Sequence, residues 1–387
     1  MKEVLQHPIN IIRRMLSLTS RRLIKFRATG YKLGPTLIRL RCLLRQEEAL
    51  GRYRRDQLMA LQEVQEALAN LARKVAAIVD GNSEKDGPPI DFDTILTAAS
   101  LPDKIAGELK TKPIKIVDVG ALELDGQDDL YKALCAQCSC EVIGFDPQVR
   151  EAITVAGERS VKTILPIAVG NGKVAHFHCT EYRGASSMFR PNQALLEQFI
   201  SLPTMLTVRE ESEIQTIRLD DVKEVDGCDL LKIDVQGGEL NVLKGALALL
   251  QKASLILTEV EFGAVYEDQP LFADIDKFLR DQGFFLHDFK NPGYSAYKAG
   301  IFGDLKGRLL WMDAVYVKEP SMMEKLDPES ILKAAVMAHV LLQNPGLAAS
   351  ILRVFDRKTG KKFSNIYRLQ LNALRNALGD VHTATYD

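Results

Sequence analysis

Between residues 114 and 317, short apolar β-branched runs alternate with stretches whose apolar residues fall at helical spacing. The runs 114–119, 141–145, 229–235 and 254–260 end at Gly120, Asp146-Pro147, Gln236-Gly237-Gly238 and Glu261-Phe262-Gly263. Residues 127–137, 239–251 and 270–282 carry the helical spacing. Strand, helix, strand in repetition predicts a mainly parallel sheet covered by helices on both faces. Two last runs, 284–289 and 310–317, lie close together across a Gly-rich connection and suit an antiparallel edge pair.

The flanks have different patterns. Leu61, Val64, Leu68, Leu71, Val75 and Ile78 recur at spacings of three and four, an a/d seam over about three heptads. Residues 58–79 therefore predict a helix that either pairs two copies of the chain or packs on its own body. Asp80-Gly81-Asn82-Ser83 ends it, and 81–89 with Pro88-Pro89 reads as a linker. After Pro320 the pattern turns helical again. Asp327-Pro328-Glu329 is a start signal, and helices over 328–343, 346–356 and 363–378 follow. The predicted organisation is an N-terminal helical and coiled-coil arm (1–90), an α/β body (91–320) and a C-terminal helical appendage (321–387).

Of the 387 residues, 46% are hydrophobic and 26% charged, which excludes a wholly disordered, collagenous or disulfide-stapled chain. The net charge of −1 hides an asymmetry: residues 1–45 carry eleven Lys/Arg against the single acid Glu3. Ile11, Ile12, Met15, Leu16 and Leu18 sit among Arg13, Arg14, Arg21 and Arg22. Such a basic amphipathic segment can lie on an anionic membrane surface or dock on an acidic partner, a solvated arm being the alternative. No stretch reaches the ~18 uncharged apolar residues of a membrane span, and the arginine pairs interrupt any signal-peptide core. The expectation is a cytoplasmic protein, peripheral to the membrane at most. Six unevenly spaced cysteines fit a reducing compartment.

In open α/β sheets, ligands bind beyond the carboxyl ends of the strands, where the strand order reverses. Here those ends carry acids. Asp118 precedes Gly120, which leaves room for a ligand against the backbone, and Asp146 follows the second run. A carboxylate there can accept both hydroxyl protons of a ribose. A dinucleotide is disfavoured, because Gly120-Ala121-Leu122-Glu123-Leu124-Asp125-Gly126 lacks G-x-G-x-x-G and its acids would repel a pyrophosphate. A cationic sulfonium cofactor tolerates them.

The run 229–245, Asp-Leu-Leu-Lys-Ile-Asp-Val-Gln-Gly-Gly-Glu-Leu-Asn-Val-Leu-Lys-Gly, joins Thr216-Ile217-Arg218-Leu219-Asp220-Asp221 (read as a short strand and turn) and Asp118-Val119-Gly120-Ala121. Together they resemble the FkbM family of S-adenosylmethionine-dependent methyltransferases. The likeness extends through Ala168-Val169-Gly170, Gly184-Ala185-Ser186-Ser187 and Asp313–Val317, covering about 112–318. It implies a class I methyltransferase (Rossmann-like) fold with a seven-stranded sheet, and O-methylation of a sugar, glycan or natural-product hydroxyl. The implied cofactor residues are Asp118, Gly120, Ala121, Asp146 and Ala168. The chain departs from the family at Leu122, where an Asn is common, and at Gln236, where Glu is common; Gln236 is given no catalytic role. A non-catalytic scaffold with a methyltransferase-like core is the alternative.

A sugar hydroxyl becomes a good nucleophile when a base takes its proton. Asp234, at the mouth of the 229–235 strand, is the candidate acid, with Glu239 orienting substrate or loop. Ser186 and Ser187 are candidates for the acceptor pocket, with a turn role as the equal alternative. Glu259 and Glu261 share one strand face and read as structural. No metal is expected: Cys135, Cys138 and Cys140 form C-x-x-C-x-C without a second pair and read as free thiols. His176 and His178 read as an exposed strand face, and His287 as a residue near the cleft mouth. No nucleic-acid module accompanies the basic arm.

Overall fold

The computed structural model describes residues 105, 108–109, 112–122, 130–298 and 307–377; the basic arm, the heptad seam, the linker and residues 123–129 lie outside these. The strands are β1 (Ile114–Val119), β2 (Cys140–Phe145), β3 (Ile153–Ala156), β4 (Ser160–Leu165), β5 (Val174–Thr180), β6 (Val208–Gln215), β7 (Leu230–Ile233), β8 (Leu255–Glu261), β9 (Phe284–Ser295) and β10 (Arg308–Lys318). Eight form one sheet in the order β3-β4-β2-β1-β7-β8-β10-β9. The central five run parallel, and β10 is antiparallel to both neighbours.

The family resemblance implies seven strands. The eighth, β3, is a four-residue hairpin partner of β4 whose residues are all exposed, so it carries no buried pattern to betray it. The class I methyltransferase sheet is otherwise as expected, with the antiparallel pair β10-β9 ending one side. The strand order reverses between β1 and β7, which puts the ends of β1, β2 and β7 around one crevice.

The helices are α1 (Lys132–Gln137), α2 (Gln193–Leu196), α3 (Leu202–Met205), α4 (Glu239–Lys244), α5 (Leu247–Lys252), α6 (Phe272–Asp281), α7 (Pro320–Met323), α8 (Pro328–Val340), α9 (Pro345–Thr359) and α10 (Phe363–Ala377). Alternation along the strands sorts side chains onto two faces. Val117, Val119, Leu231, Ile233 and Ile256 pack with Val242, Leu243, Leu250, Ile275 and Leu279 of α4–α6. Ile114, Ile116, Leu230, Leu255, Leu257 and Val315 pack on the other side with Ile331, Val336, Leu352 and Phe355.

That second core corrects the expected C-terminal appendage. Helices α8 and α9 pack, with Tyr131 and Leu134, on one face of the sheet. Every residue of α8 from Ile331 to Val340 is buried, so the helix has no solvent stripe and no amphipathic signature. Its two polar members have partners. Lys333 Nζ lies 3.1 Å from Asp229 Oδ2 and 3.0 Å from Glu329 Oε1, and His339 Nδ1 lies 2.8 Å from the Tyr367 hydroxyl. Asp327 caps α8 by accepting from Ser330 N at 3.0 Å, the role its position before Pro328 predicts.

The single helix predicted over 239–251 is two, α4 and α5. A Cβ on Gly245 would stand 2.3 Å from the Gly170 carbonyl oxygen, so the chain can pass there only as glycine. Asp220 then starts α5, its two oxygens accepting from Ala248 N and Leu249 N at 3.0 Å each. The expected strand at 216–221 reduces to a single parallel bridge, Val169 to Ile217, and a short 3-10 turn. Both sequence marks thus serve the scaffold that carries the site.

Candidate active site

Asp118 follows Ile114 and Ile116 onto the α8–α9 face of β1 and is wholly buried. Its carboxylate is taken up by the protein. The Tyr131 hydroxyl donates to Oδ2 at 2.6 Å, Lys232 Nζ lies 3.2 Å from Oδ1, and Lys162 Nζ lies 3.8 Å from Oδ2. Lys232 also donates to the Gly120 carbonyl at 3.2 Å, so the acid fixes the loop that leaves β1.

Gly120 has φ +82°, and a Cβ there would stand 1.8 Å from the Asp234 carbonyl oxygen. The β1 and β7 ends are therefore in backbone contact, held also by Asp234 N donating to Val119 O at 2.9 Å. Gly120 N and Ala121 N both donate to Phe145 O, at 2.9 and 3.1 Å, which brings the β2 end alongside. Asp146 follows at once, nearly buried, its Oδ1 accepting from Gln148 N at 2.8 Å. Burial raises its carboxyl, while the Gln148 and Leu122 backbone amides and the nearby Arg183 and Lys232 charges pull the other way. Ala168 lies beyond β4, buried, its carbonyl accepting from Ile217 N at 2.9 Å.

Asp234 is the accessible acid of the group, its side chain 38% exposed. Its Oδ2 lies 3.9 Å from Lys232 Nζ, and its Oδ1 accepts from Gln236 Nε2 at 2.8 Å. Gln236, to which the sequence gives no role, is the hub. Its backbone sits in the left-handed region at φ 58°, its Nε2 donates also to Glu259 Oε2 at 2.7 Å, and its Oε1 accepts from the Tyr266 hydroxyl at 3.0 Å. The Ser187 hydroxyl donates to the Gln236 carbonyl at 2.6 Å. A glutamate at 236 would lack the donor that both flanking carboxylates require.

Ser187 and Tyr266 bring the segment 170–228 to the site. That segment contributes the separate β5–β6 hairpin and a small core of Ala185, Leu196, Phe199, Leu202 and Leu206 against Tyr266 and Leu310. Ser186 donates toward Gln148 rather than into open space, at 3.5 Å.

Behind Asp234 lies a group of buried acids. Glu239 is wholly buried at the start of α4, and its Oε1 accepts from Val235 N at 2.9 Å, so it orients the loop. Burial pushes its carboxyl up to about 7. Glu259 and Glu261 are pushed well above the carboxylate range, by burial first and by neighbouring acids next. Asp313, opposite Glu259 on β10, is raised to about 6 by burial, though Asn291 Nδ2 donates to it at 2.7 Å.

Other candidates fall outside this constellation. Cys135, Cys138 and Cys140 are free thiols. Burial pushes Cys138 up to about 11, and a hydrogen bond with Cys135 raises Cys140 further. His178 is buried, not exposed: Ser187 pairs with its backbone, and its Nδ1 lies 3.3 Å from Glu211. His287 faces the helical layer, its Nε2 3.5 Å from Asn344 Nδ2, and does not reach the cleft mouth. No helix among the described residues is long and apolar enough to cross a membrane.

Residues 118–286 match the family model described as the methyltransferase FkbM domain. No curated protein matches the chain. Among solved structures the chain is similar to magnesium protoporphyrin IX methyltransferase (ChlM) from Synechocystis PCC 6803, a crystal structure with bound SAM. The identity is 14%, the match covers 60% of this chain and 86% of that one, and the TM-score is 0.23.

Proposed function

The chain carries an FkbM methyltransferase domain, and from that premise we propose that it is an S-adenosylmethionine-dependent O-methyltransferase acting on a hydroxyl of a sugar, glycan or natural-product acceptor. The observation that carries the reading is the convergence of Gly120, Asp146 and Asp234 at the strand-order reversal. A carboxylate offers about four lone-pair sites. At Asp146 the Gln148 and Leu122 amides use two, which leaves two for the paired hydroxyls of a ribose. Gly120 and Ala121 present backbone without bulk beside it.

S-adenosylmethionine supplies, when bound, a methyl group activated on a sulfonium. The protein's part is placement and proton transfer. Asp234 accepts the acceptor hydroxyl's proton as that oxygen receives the methyl group. The Gln236 amide on Oδ1 fixes the orientation of the carboxylate, and Lys232 Nζ stands 3.9 Å from the other oxygen. Glu239 acts as a positioning residue through Val235 N. Asp118 touches neither reactant; its place is beneath Gly120, held by two lysines and a tyrosine.

Calorimetric titration of the full chain with S-adenosylmethionine tests the first half. Binding is expected, and Asp146→Ala should weaken it about 10–100-fold, the equivalent of one or two hydrogen bonds to a charged group. Asp234→Asn should keep the cofactor and lose turnover. A folded chain that binds neither the cofactor nor its demethylated product overturns the proposal. Binding without transfer to any acceptor in a broad glycan screen favours the scaffold reading.

A further inference from the structure

Glu239, Glu259 and Glu261 meet at one point from two elements. Glu239 opens α4, while Glu259 and Glu261 are two residues apart on β8 and share a face. One carboxylate oxygen from each lies within 4.8 Å of the other two. Glu239 and Glu261 are 0% and 2% exposed, yet Glu239 Oε2 and both oxygens of Glu261 have no hydrogen-bond partner among the described residues. Gln269 Nε2 is similarly buried and unpartnered; it sits against Glu261 without closing a regular hydrogen bond.

The surroundings do little to compensate this charge. Apart from burial, the strongest influences on Glu259 are Asp234, Glu261, Glu239 and Asp313, all acids. Protons alone leave the geometry unexplained. A proton neutralises one carboxyl and leaves its neighbours as they are, and neither Glu261 oxygen receives a hydrogen bond from a described residue. A cation answers all three carboxylates at once.

We propose that Glu239, Glu259 and Glu261 bind one hard divalent cation, of the Mg²⁺, Mn²⁺ and Ca²⁺ class. An all-carboxylate donor set selects such ions over Zn²⁺ or Cu²⁺, which favour nitrogen and sulfur. The spacing agrees. Three oxygens within 4.8 Å of one another share a centre at most about 2.8 Å from each. That is a few tenths of an ångström beyond the Ca²⁺–oxygen distance and about 0.7 Å beyond that of Mg²⁺, so the side chains close inward onto the ion. The cation keeps Glu259 ionised, and ionised Glu259 accepts the Gln236 amide that also orients Asp234. The ion therefore positions the proton acceptor from behind and lies apart from the Asp146 side of the crevice. Its binding stands independently of which acceptor is methylated.

The test titrates the chelator-treated full chain with MnCl₂, reading free Mn²⁺ by electron paramagnetic resonance, with MgCl₂ and CaCl₂ as competitors. One Mn²⁺ per chain is expected, displaced by Mg²⁺ or Ca²⁺, with at least tenfold weaker binding in Glu261→Gln and in Glu259→Gln. Asp146→Ala should bind Mn²⁺ like the unmodified chain. Circular dichroism and thermal melts establish that each variant is folded, and a parallel titration of the unmodified chain with S-adenosylmethionine keeps failure here distinct from failure of the methyltransferase reading. Absence of Mn²⁺ binding by the unmodified chain, with no rise in Tm from Mg²⁺ or Ca²⁺, overturns the proposal. So does undiminished binding by a folded Glu261→Gln; if that variant does not fold, Glu239→Gln decides in the same way.

Discussion

Two sets of acids are buried at the same end of the sheet, on β1 and on β8, with β7 between them, and they are buried differently. Asp118 is wholly enclosed, with a tyrosine hydroxyl at 2.6 Å and lysines at 3.2 and 3.8 Å. Glu259 and Glu261 are also buried, beside Glu239 and further acids, and none of the charges acting most strongly on Glu259 is positive. A buried charge is tolerated when its partners replace what water supplied, and otherwise gives up the charge or recruits a counter-ion. The first set has the form of a structural tie; the second has the form of a receiver. The difference separates acids whose charge the protein itself compensates from acids whose charge it leaves uncompensated.

Lys232→Met breaks that comparison most forcefully. It leaves Asp118 buried with its closer lysine gone, and removes the donor to Gly120 O. Loss of one partner of a buried pair costs about 3–5 kcal/mol, to be read from urea denaturation midpoints. A loss below about 1 kcal/mol would place Asp118 in the same class as the β8 acids.

The β8 side predicts the opposite dependence on charge. In chelator-treated protein the Glu239 carboxyl stands at about 7 against an ordinary value of 4.5, raised by burial. Between those values the folded chain holds a proton that the unfolded chain has released. Stability is therefore greatest at the acid end and falls as pH rises through about 4.5 to 7, by roughly 3 kcal/mol for this group. Glu239→Gln should flatten that slope, and Mn²⁺ should remove it. Denaturation at pH 5, 6 and 7 checks the sign; stability that rises across the window would show a compensating charge beside the cluster.

How much of this is legible in the sequence depends on range. The apolar runs that form β1, β7 and β8 can be read because each is buried or nearly so on both faces, and the strand-end placement of Gly120, Asp146 and Asp234 because each follows or closes such a run. Local pattern does not show where a side chain is spent. Asp118 reads as a ligand acid, yet Lys162 and Lys232 reach it from strands whose order only the fold sets. Gln236 gives little sign of its role because its partners, Glu259 and Tyr266, lie 23 and 30 residues on. Its one local signal is a residue other than the common Glu inside an otherwise family-like run. Alternation puts Glu259 and Glu261 on one face, but the acids that gather around them do so only in three dimensions. The C-terminal helices read as an appendage because α8, buried all round, has no amphipathic stripe to announce what it covers.

The smallest effect tests whether the two lysines at Asp118 are equivalent. Lys162 Nζ is 3.8 Å from Oδ2, beyond hydrogen-bond range, on an oxygen already served by the Tyr131 hydroxyl. It also stands 5.8 Å from the centroid of the Tyr131 ring, a contact that survives as packing if the charge is lost. Lys232 by contrast holds Oδ1 and the Gly120 carbonyl together. Lys162→Met should therefore cost about 1 kcal/mol, the range of a long, partly satisfied pair, and leave cofactor titration unchanged. In the double variant Asp118 loses both lysines, and the loss should exceed the sum of the single losses by about 1 kcal/mol or more, because either lysine alone still offsets part of the buried charge. Strict additivity would mean that the two lysines act on different groups, and that Asp118 depends on one of them alone.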